Sequence, residues 1–286
     1  MAIKIFTDSA SGISSRTLKE LNIGVVELTI IWDGTMEQEI DYPSDDLTSF
    51  YEKLSREIAT TSHPEPARFV SAFKAWLDAD PINEIVCITI SKEFSHTYFS
   101  AISAAEEIDP LGERITIIDS SSVAMGEGWQ VIAAAKCVIA GNTRLEIAQL
   151  VDSNKSQAIV LFKATDLTAL ARGGRIPDVI VALQRKISLV PIVGMTEGKK
   201  PHLVGFSLSN GQSFTKITNK ASSYYGEQKR IRAGIIYTDK QDEAKRMLTA
   251  ISKKFTIVES VVQQPPRVVG VHTGPFGVTG ICIFPA

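Results

Sequence analysis

Short runs of β-branched and aliphatic residues alternate along the chain with segments whose apolar residues recur every three or four positions. The runs predict β-strands and the periodic segments predict helices. In the first half, strands are predicted at 2–7, 25–31, 84–90 and 114–119. This alternation is typical of βα units around a mainly parallel sheet flanked by helices. The predicted helices begin at Ser14, Ser44, Pro66, just after Thr97 and near Gly126, and a capping box of Thr143 and Glu146 opens a further one.

The pattern changes after the polar stretch 152–157, which predicts a boundary between an N-terminal domain, 1–154, and a C-terminal domain, 155–286. Runs at 188–195 and 203–208 flank a turn at Glu197-Gly198 and predict a hairpin, so antiparallel pairing enters here. The expected fold class is therefore α/β, with a C-terminal α+β domain that carries a mixed sheet. The other elements predicted there are strands at 159–163, 234–238, 256–262 and 279–284, and helices at 167–172, 177–185, 214–225 and 242–253.

Composition narrows the class of protein. The 286 residues are 44% hydrophobic and 22% charged, as in an ordinary soluble globular protein. Lysine and arginine number 30 against 32 acidic residues, which disfavours a broad nucleic-acid surface. Cys87, Cys137 and Cys282 each lie in an apolar run and are predicted to be buried thiols of a reducing compartment. Asp8 comes too early for a signal peptide, and the apolar stretch 129–140 is too short to span a bilayer, so we expect a cytoplasmic protein without stable membrane insertion.

Hydroxyl-bearing residues cluster where predicted strands end, at 7–9, 91–97 and 119–122, and also at 60–62, which we place in a helix-flanking loop. Ligands of open α/β sheets bind beyond the carboxyl ends of the strands. Hydroxyls and helix N-terminal amides hold anions but supply no acid–base pair, so binding is favoured over catalysis. The sequence leaves open that these residues are only helix N-caps and turns.

Two motifs in the second half carry charge. The glycines between Arg172 and Arg175 expose backbone amides beside two guanidiniums that suit a carboxylate or phosphate, although a helix C-cap with solvated arginines fits equally well. His272 lies next to a Gly-Pro turn before the last strand, where it either senses an anion or is structural. His63 and His96 are placed to approach each other across the crevice, but the four histidines lack metal-site spacing. No complete P-loop, dinucleotide fingerprint or Gly-x-Ser-x-Gly elbow occurs.

Six short motifs occur in a fixed order over nearly the whole chain: Phe6-Thr7-Asp8-Ser9, Thr61-Ser62-x-Pro64, Ser95-x-Thr97-Tyr98, Asp119-Ser120, Gly173-Gly174-Arg175-Ile176 and His272-Thr273-Gly274-Pro275. Together they resemble the DegV family of bacterial fatty-acid-binding proteins. The resemblance implies a two-domain α/β protein that encloses one long-chain fatty acid between its domains and is not itself an enzyme. It also implies no cofactor and a role as carrier subunit of a fatty acid kinase, whose separate ATP-using subunit makes acyl phosphate.

The family pattern also implies roles for single residues. Thr61 and Ser95 would hydrogen-bond the carboxylate, and Arg175 and His272 would lie at the mouth of the site. This sequence has His96 where the family usually has glycine, and it lacks the basic residues usual at 190 and within 204–209. The ligand-binding residues predicted on this basis are Asp8, Ser9, Thr61, Ser62, Ser95, His96, Thr97, Ser120, Arg175, His272, Thr273 and Gly274.

The tail and the head group of a fatty acid are expected to contribute differently to its binding free energy. Burying about 12 methylenes at roughly 0.8 kcal/mol each contributes on the order of 10 kcal/mol before ordering costs. Each hydrogen bond to the carboxylate adds roughly 1.5–3 kcal/mol, so Thr61 and Ser95 mainly fix its position. Two alternatives remain open: a phosphotransfer or hydrolytic enzyme that uses Asp8, His96, His272 and Arg175, and a lipid sensor without a kinase partner.

Overall fold

A computed structural model of the chain describes residues 2–32, 38–40, 47–187, 189–196, 200–226 and 228–286. The predicted helix start at Ser44 and the predicted turn at Glu197-Gly198 lie outside these residues. The helices are α1 Ser15–Glu20, α2 Thr48–Leu54, α3 Pro66–Leu77, α4 Thr97–Ile108, α5 Met125–Ile139, α6 Arg144–Asn154, α7 Thr168–Arg172, α8 Asp178–Ile187, α9 Asn210–Tyr225, α10 Gln241–Ser252 and α11 Arg267–Thr273. The strands are β1 Ile3–Asp8, β2 Gly24–Val26, β3 Thr29–Trp32, β4 Gln38–Ile40, β5 Ala59–Ser62, β6 Glu84–Thr89, β7 Ile115–Asp119, β8 Ile159–Ala164, β9 Val190–Met195, β10 His202–Ser207, β11 Arg230–Tyr237, β12 Thr256–Gln263 and β13 Val278–Pro285.

The first sheet is parallel, in the order β2-β1-β6-β7, and confirms the predicted parallel sheet. Strand β6, one of its two central strands, is buried on both faces, which explains its continuous apolar run. Cys87 on one face of β6 packs with Phe73 of α3, whereas Val86 on the other face joins the cluster that contains Trp129 of α5. The sheet is therefore a middle layer between helices.

The second sheet has the order β10-β9-β8-β13-β11-β12 and is mixed, as predicted: β11 and β12 run parallel, and the remaining pairs are antiparallel. Alternate residues of β8 face opposite sides. Leu161 packs with Phe214 of α9, whereas Phe162 belongs to the same apolar cluster as Trp129. That cluster joins both sheets through α5. The predicted division into 1–154 and 155–286 remains a proposal.

Two local predictions in the first half were wrong. The single strand predicted at 25–31 is two strands, because the chain leaves the parallel sheet after β2 and enters a third sheet, of order β4-β3-β5, at β3. The Ser9 hydroxyl accepts the Leu28 N–H at 3.1 Å at this crossing. The segment 60–62 is not a helix-flanking loop but part of β5, where Thr61 pairs antiparallel with Ile30.

The Gly-Pro turn expected around His272 is preceded by a helix, α11, that the sequence analysis missed. Gly270 lies in the middle of α11, and a Cβ there would approach the Tyr51 hydroxyl oxygen of α2 to 2.7 Å. Close packing of α11 against α2 therefore requires glycine at this position. Cys137 also differs from its prediction, since it is only partly buried, whereas Cys87 and Cys282 are buried. In the part of the chain that the structure describes, no helix is long and apolar enough to cross a membrane.

Candidate ligand-binding site

An apolar cavity lies between the two large sheets. The space between its wall atoms is about 750 Å³, including the part that is open to solvent. Side chains from both halves of the chain form its wall, so the cavity exists only because the two sheets pack against a common layer. The apolar residues of the wall include Leu28, Ile90, Val160, Phe162, Ile236 and Val269.

Local structure explains how this wall is built. The strand period of two turns Val160 and Phe162 of β8 toward the cavity, while their neighbours face α9. Ala124 lines the cavity just before α5 with φ 50° and ψ −143°, a backbone conformation that residues with a side chain rarely adopt. Its N–H bonds the Ala10 carbonyl at 2.9 Å, which helps to hold this strained residue in the wall.

The polar end of the cavity contains Thr61 of β5 and His272 of α11, whose Oγ1 and Nε2 atoms lie 2.8 Å apart. Burial, followed by the charges of Arg175 and Arg172, lowers the pKa of His272 to about 4. The imidazole is therefore neutral at neutral pH. When its proton is on Nε2 it donates to the Thr61 oxygen, and the Thr61 hydroxyl hydrogen is then free to bond a ligand.

Arg175 connects the polar groups of this end. Its Nε and Nη2 donate to the Phe94 carbonyl at 3.2 and 2.9 Å, and its Nη1 donates to the Gly173 carbonyl. Gly173 in turn packs against His272, because a Cβ at this glycine would lie 2.4 Å from Nδ1. Ser95, which follows Phe94, lines the cavity and shares a hydrogen bond of 2.8 Å with the Thr97 hydroxyl. Contiguous contacts thus join Ser95, Arg175 and His272.

The positive charge of Arg175 has no ion-pair partner among the described residues, since no carboxylate there lies within 4.0 Å of it. The side chain is only partly exposed, and burial lowers its pKa. A partly desolvated guanidinium without a counter-charge favours an anionic ligand. The cavity therefore suits a molecule with a long apolar part and an acidic head.

A sequence model described as "Uncharacterised protein, DegV family" matches residues 2–286. The chain belongs to the DegV family. A DegV domain-containing protein of Caldanaerobacter subterraneus is 30% identical to it, with 96% of this chain and 95% of the relative covered.

Solved structures confirm the fold of this DegV protein. A DegV family protein from Thermus thermophilus, described for its fatty acid binding, is 24% identical and superposes with a TM-score of 0.88 over 100% of both chains. A stearic acid-binding protein from Eubacterium ventriosum is 22% identical, with a TM-score of 0.85 over 100% of this chain and 98% of the other.

The predicted site residues of this DegV protein fall into two groups. Those that line the cavity are Thr61, Ser95, Arg175, His272 and Thr273. Thr97 does not line the cavity, but its hydroxyl and its backbone N–H both hydrogen-bond the Ser95 hydroxyl oxygen. Gly274 ends α11 with φ 80°, a backbone conformation that favours glycine. The residues that lie outside the lining formed by the described chain are Asp8, Ser9, Ser62, His96, Thr97, Ser120 and Gly274.

Several members of the second group have the structural roles that the sequence left open. Asp8 caps the turn that follows β1 by accepting the Ala10 N–H at 2.9 Å. Ser120 accepts the Ser122 N–H at 3.2 Å. His96 is exposed, and its ring centroid lies 5.5 Å from that of His63, so these two rings do approach each other as predicted. Among the described residues no group of three or more His, Cys, Asp or Glu side chains is arranged to hold a metal ion.

Sequence reasoning missed the apolar wall of the cavity. Residues such as Phe94, Val123 and Leu170 line it, but their pattern is the same as that of core residues. One sequence feature could have indicated α11. Val268 and Val269 follow two prolines and lie about one helical turn before His272, as expected for the apolar side of a short helix. Without the third dimension, a wall residue and a core residue carry the same apolar pattern.

Two buried carboxyls lie at the end of β1 and in the first turn of α5 in this DegV protein. Asp8 uses its second oxygen to accept the Ile90 N–H at 2.8 Å, and Glu127 of α5 accepts the Thr7 hydroxyl at 2.9 Å. Burial raises the pKa of Asp8 to about 6. Burial, followed by the charge of Asp8, raises the pKa of Glu127 well above its usual range. Both carboxyls therefore hold their protons more tightly in the folded chain than in the unfolded chain.

We expect Glu127→Gln to change how the stability of the protein depends on pH. Because folded Glu127 binds its proton more tightly, the contribution of this residue to the unfolding free energy of the wild type falls as pH rises above its unfolded pKa. Glutamine cannot ionise. The unfolding free energy of the variant should therefore rise, relative to that of the wild type, by about 1.4 kcal/mol for each pH unit between the unfolded and the folded pKa of Glu127. Urea unfolding at pH 5, 6.5 and 8 measures this difference. Glu107→Gln, at an exposed site on α4, should follow the wild type. A pH-independent difference for Glu127→Gln would contradict the prediction.

Proposed function

We propose that this DegV protein binds one long-chain fatty acid in the cavity, with its tail against the apolar wall and its carboxylate at Thr61 and Ser95. The observation that carries the proposal is the polar end of an otherwise apolar cavity, where an arginine without a carboxylate partner among the described residues lies beside two hydroxyls. The Thermus thermophilus and Eubacterium ventriosum proteins of the same fold bind fatty acids, which supports this ligand class. In terms of the proposed domains, the ligand lies between 1–154 and 155–286.

The polar groups suit an ionised carboxylate. Arg175 supplies positive charge, and the Thr61 and Ser95 hydroxyls supply donors for the two carboxylate oxygens. The carbonyls that Arg175 bonds, those of Phe94 and Gly173, fix the guanidinium before any ligand arrives. An uncharged lipid would leave this guanidinium uncompensated in a partly buried place, so the head group gives selectivity and the tail gives affinity.

We further propose that the protein presents the bound carboxylate to the ATP-binding subunit of a fatty acid kinase in the cytoplasm. A carboxylate oxygen would attack the γ-phosphorus of ATP held by that partner, releasing ADP and forming an acyl phosphate. No aspartate or glutamate of the described chain lines the cavity, which agrees with a carrier that leaves phosphoryl transfer to the partner. The role of this chain is then to hold and position the acid.

The lipid content of the purified protein tests the proposal directly. We expect protein expressed in bacteria and purified without added lipid to release a single class of long-chain fatty acid, close to one per chain, on denaturation and mass spectrometry. Protein stripped of lipid should bind the same acid again. Purified protein that carries no acyl chain and binds none would contradict the proposal.

The two alternative functions have separate tests. An enzyme that used Asp8 would need that carboxyl at the cavity, but both Asp8 oxygens accept backbone N–H groups and Asp8 lies outside the lining. Nucleotide or phosphate-ester turnover by the isolated protein, abolished by His272→Ala, would restore the enzyme hypothesis. A lipid sensor differs from a carrier in its partner: capture of the kinase subunit by fatty-acid-loaded protein supports the carrier, and its absence supports the sensor.

A further inference from the structure

Helices α9 and α10 cover the face of the mixed sheet that points away from the cavity. Leu161 of β8 packs against Phe214 of α9, whereas its neighbour Phe162 lines the cavity on the other face. An open groove runs between the two helices, and the space between its wall atoms is about 710 Å³, including the part that is open to solvent. We call it the α9–α10 groove. The sheet separates this groove from the cavity, so both can be occupied at once.

The segment that carries α9 and α10 is the basic part of the chain. Residues 211–254 include ten lysines and arginines and four acidic residues, a net charge of +6, whereas the rest of the chain carries −8. In the groove, Lys245, Arg246 and Lys253 are exposed, and no acidic residue of the described chain lines it. Positive charge that is concentrated on one face of a protein with net charge −2 favours an acidic partner at that face.

Little of this positive charge is neutralised within the protein. Across the described ranges, Arg246 and Lys253 have no carboxylate within 4.0 Å. The guanidinium of Arg246 lies 5.8 Å from the centre of the Phe214 ring, which holds it over the groove. Lys245 is 3.8 Å from Asp242, but both side chains are largely exposed, and such pairs are weak. Three cations are therefore available to an acidic ligand.

The shape of the groove suits a helix. Its floor consists of small residues beside the buried ring of Phe214, namely Gly211, Thr215, Thr249 and Ala250. The two threonine hydroxyls bond carbonyls of their own helices, at 3.5 and 3.0 Å, so neither needs a partner from a ligand. Small residues on two neighbouring helices let a third helix approach closely. The 12 residues of α10 give a contact about 18 Å long.

A bilayer and a nucleic acid fit this surface less well. Among the described residues of α9 and α10, no large apolar side chain is exposed for insertion into a bilayer. Phe214, the aromatic residue in the described lining, is buried, so it cannot stack on a nucleic-acid base. A protein helix needs neither feature.

We propose that the α9–α10 groove is the docking site for an acidic amphipathic helix of a protein partner. Carboxylates spaced three or four residues apart on this helix meet Lys245, Arg246 and Lys253, and small apolar side chains of the same helix lie on the floor. Docking there does not depend on fatty acid binding, because the groove and the cavity lie on opposite faces of the sheet.

A synthetic helical peptide tests the groove in the full-length protein. The peptide has about 18 residues, with glutamates along one face and alanines along the adjacent face, and its affinity is measured by fluorescence anisotropy. We expect the double variant Arg246→Glu, Lys253→Glu to weaken binding by about tenfold or more, because two attractions become two repulsions. Thr249→Trp fills the floor without a change in charge and should weaken binding to a similar extent. In the wild type, the backbone amide NMR signals that shift on binding should be those of α9 and α10.

The double variant Lys19→Glu, Lys74→Glu is the matched control, since it makes the same change in net charge at exposed residues of α1 and α3. It should bind the peptide like the wild type. A peptide of the same composition in scrambled order, without an acidic face, should bind at least about tenfold more weakly than the ordered peptide. The proposal would be overturned by equal losses in the two double variants, by equal affinities of the two peptides, by amide shifts outside α9 and α10, or by a wild type that does not bind the ordered peptide.

Two further probes represent the other classes of anionic partner, single-stranded DNA and vesicles of phosphatidylglycerol. If either bound the wild type more tightly than the peptide and lost this binding in Arg246→Glu, Lys253→Glu, the groove would be assigned to that class and the acidic helix would be overturned. Hexadecanoate affinity is measured in the same variants and should stay at its wild-type value. A wild type that binds the peptide but no hexadecanoate would contradict the proposed function and leave the groove intact.

Discussion

Val269→Trp should weaken the binding of hexadecanoate by about 100-fold or more. Val269 lies on α11 and lines the apolar cavity, where an indole ring would take the place of part of the tail. Excluding about four methylenes at roughly 0.8 kcal/mol each removes about 3 kcal/mol of binding free energy, which corresponds to roughly two powers of ten in the dissociation constant. Displacement of a fluorescent fatty acid measures the change.

A shorter ligand and a distant variant make this prediction specific. Octanoate leaves more of the cavity empty, so its affinity should fall much less in Val269→Trp than that of hexadecanoate. Val179→Trp adds the same ring to α8 at a side chain that is 71% exposed, and it should bind both acids like the wild type. Equal losses for octanoate and hexadecanoate would indicate a general disturbance of the protein rather than a blocked tail site.

The layered fold was predictable because its signals are local. The strand β6 is a continuous apolar run since helices cover both of its faces, and the capping box of Thr143 and Glu146 is present at the start of α6 as predicted. The hairpin of β9 and β10 likewise follows from two apolar runs close together in sequence. Each of these elements carries its own pattern, so distant contacts are not needed to recognise it.

The elements that the sequence analysis did not predict correctly depend on contacts with residues far away in the sequence. The hydroxyl-rich segment of β5 has the composition of a loop, and only pairing with β3, some thirty residues earlier, makes it a strand. Gly270 weakens the helical pattern of α11. Glycine is needed at this position because the Tyr51 side chain of α2 leaves no space for a Cβ. Both errors fall at the cavity, because β5 carries Thr61 and α11 carries His272.

The candidate site was predictable only in part for the same reason. Thr61 and His272 are separated by 211 positions, and nothing in either local pattern places their side chains 2.8 Å apart. The neutral state of His272 follows from burial and from two arginines, which also requires the folded chain. The motif resemblance named Thr61 and His272, whereas the structure shows that their side chains meet at the polar end of the cavity.

The double variant Thr61→Val, Ser95→Ala should lose binding of fatty acids but keep binding of fatty alcohols. Each hydroxyl that bonds the carboxylate contributes roughly 1.5–3 kcal/mol, so losing both should weaken hexadecanoate by about 100-fold or more. Valine keeps the shape of threonine, and the apolar wall is untouched, so hexadecanol should bind within about threefold of its wild-type affinity. The ratio of the two affinities therefore reports the head-group contacts alone.

Ser62→Ala is the matched control for this variant. Ser62 follows Thr61 in β5, but its hydroxyl bonds the His63 carbonyl at 3.3 Å and it lies outside the lining of the cavity. Its removal should change neither affinity. If the acid and the alcohol weakened together in the double variant, the hydroxyls would be stabilising the wall rather than the carboxylate. If Ser62→Ala reproduced the loss, the head group would lie elsewhere along β5. Selective loss of the acid in the double variant alone fits only a carboxylate held at the Thr61 and Ser95 end of the cavity, beside Arg175.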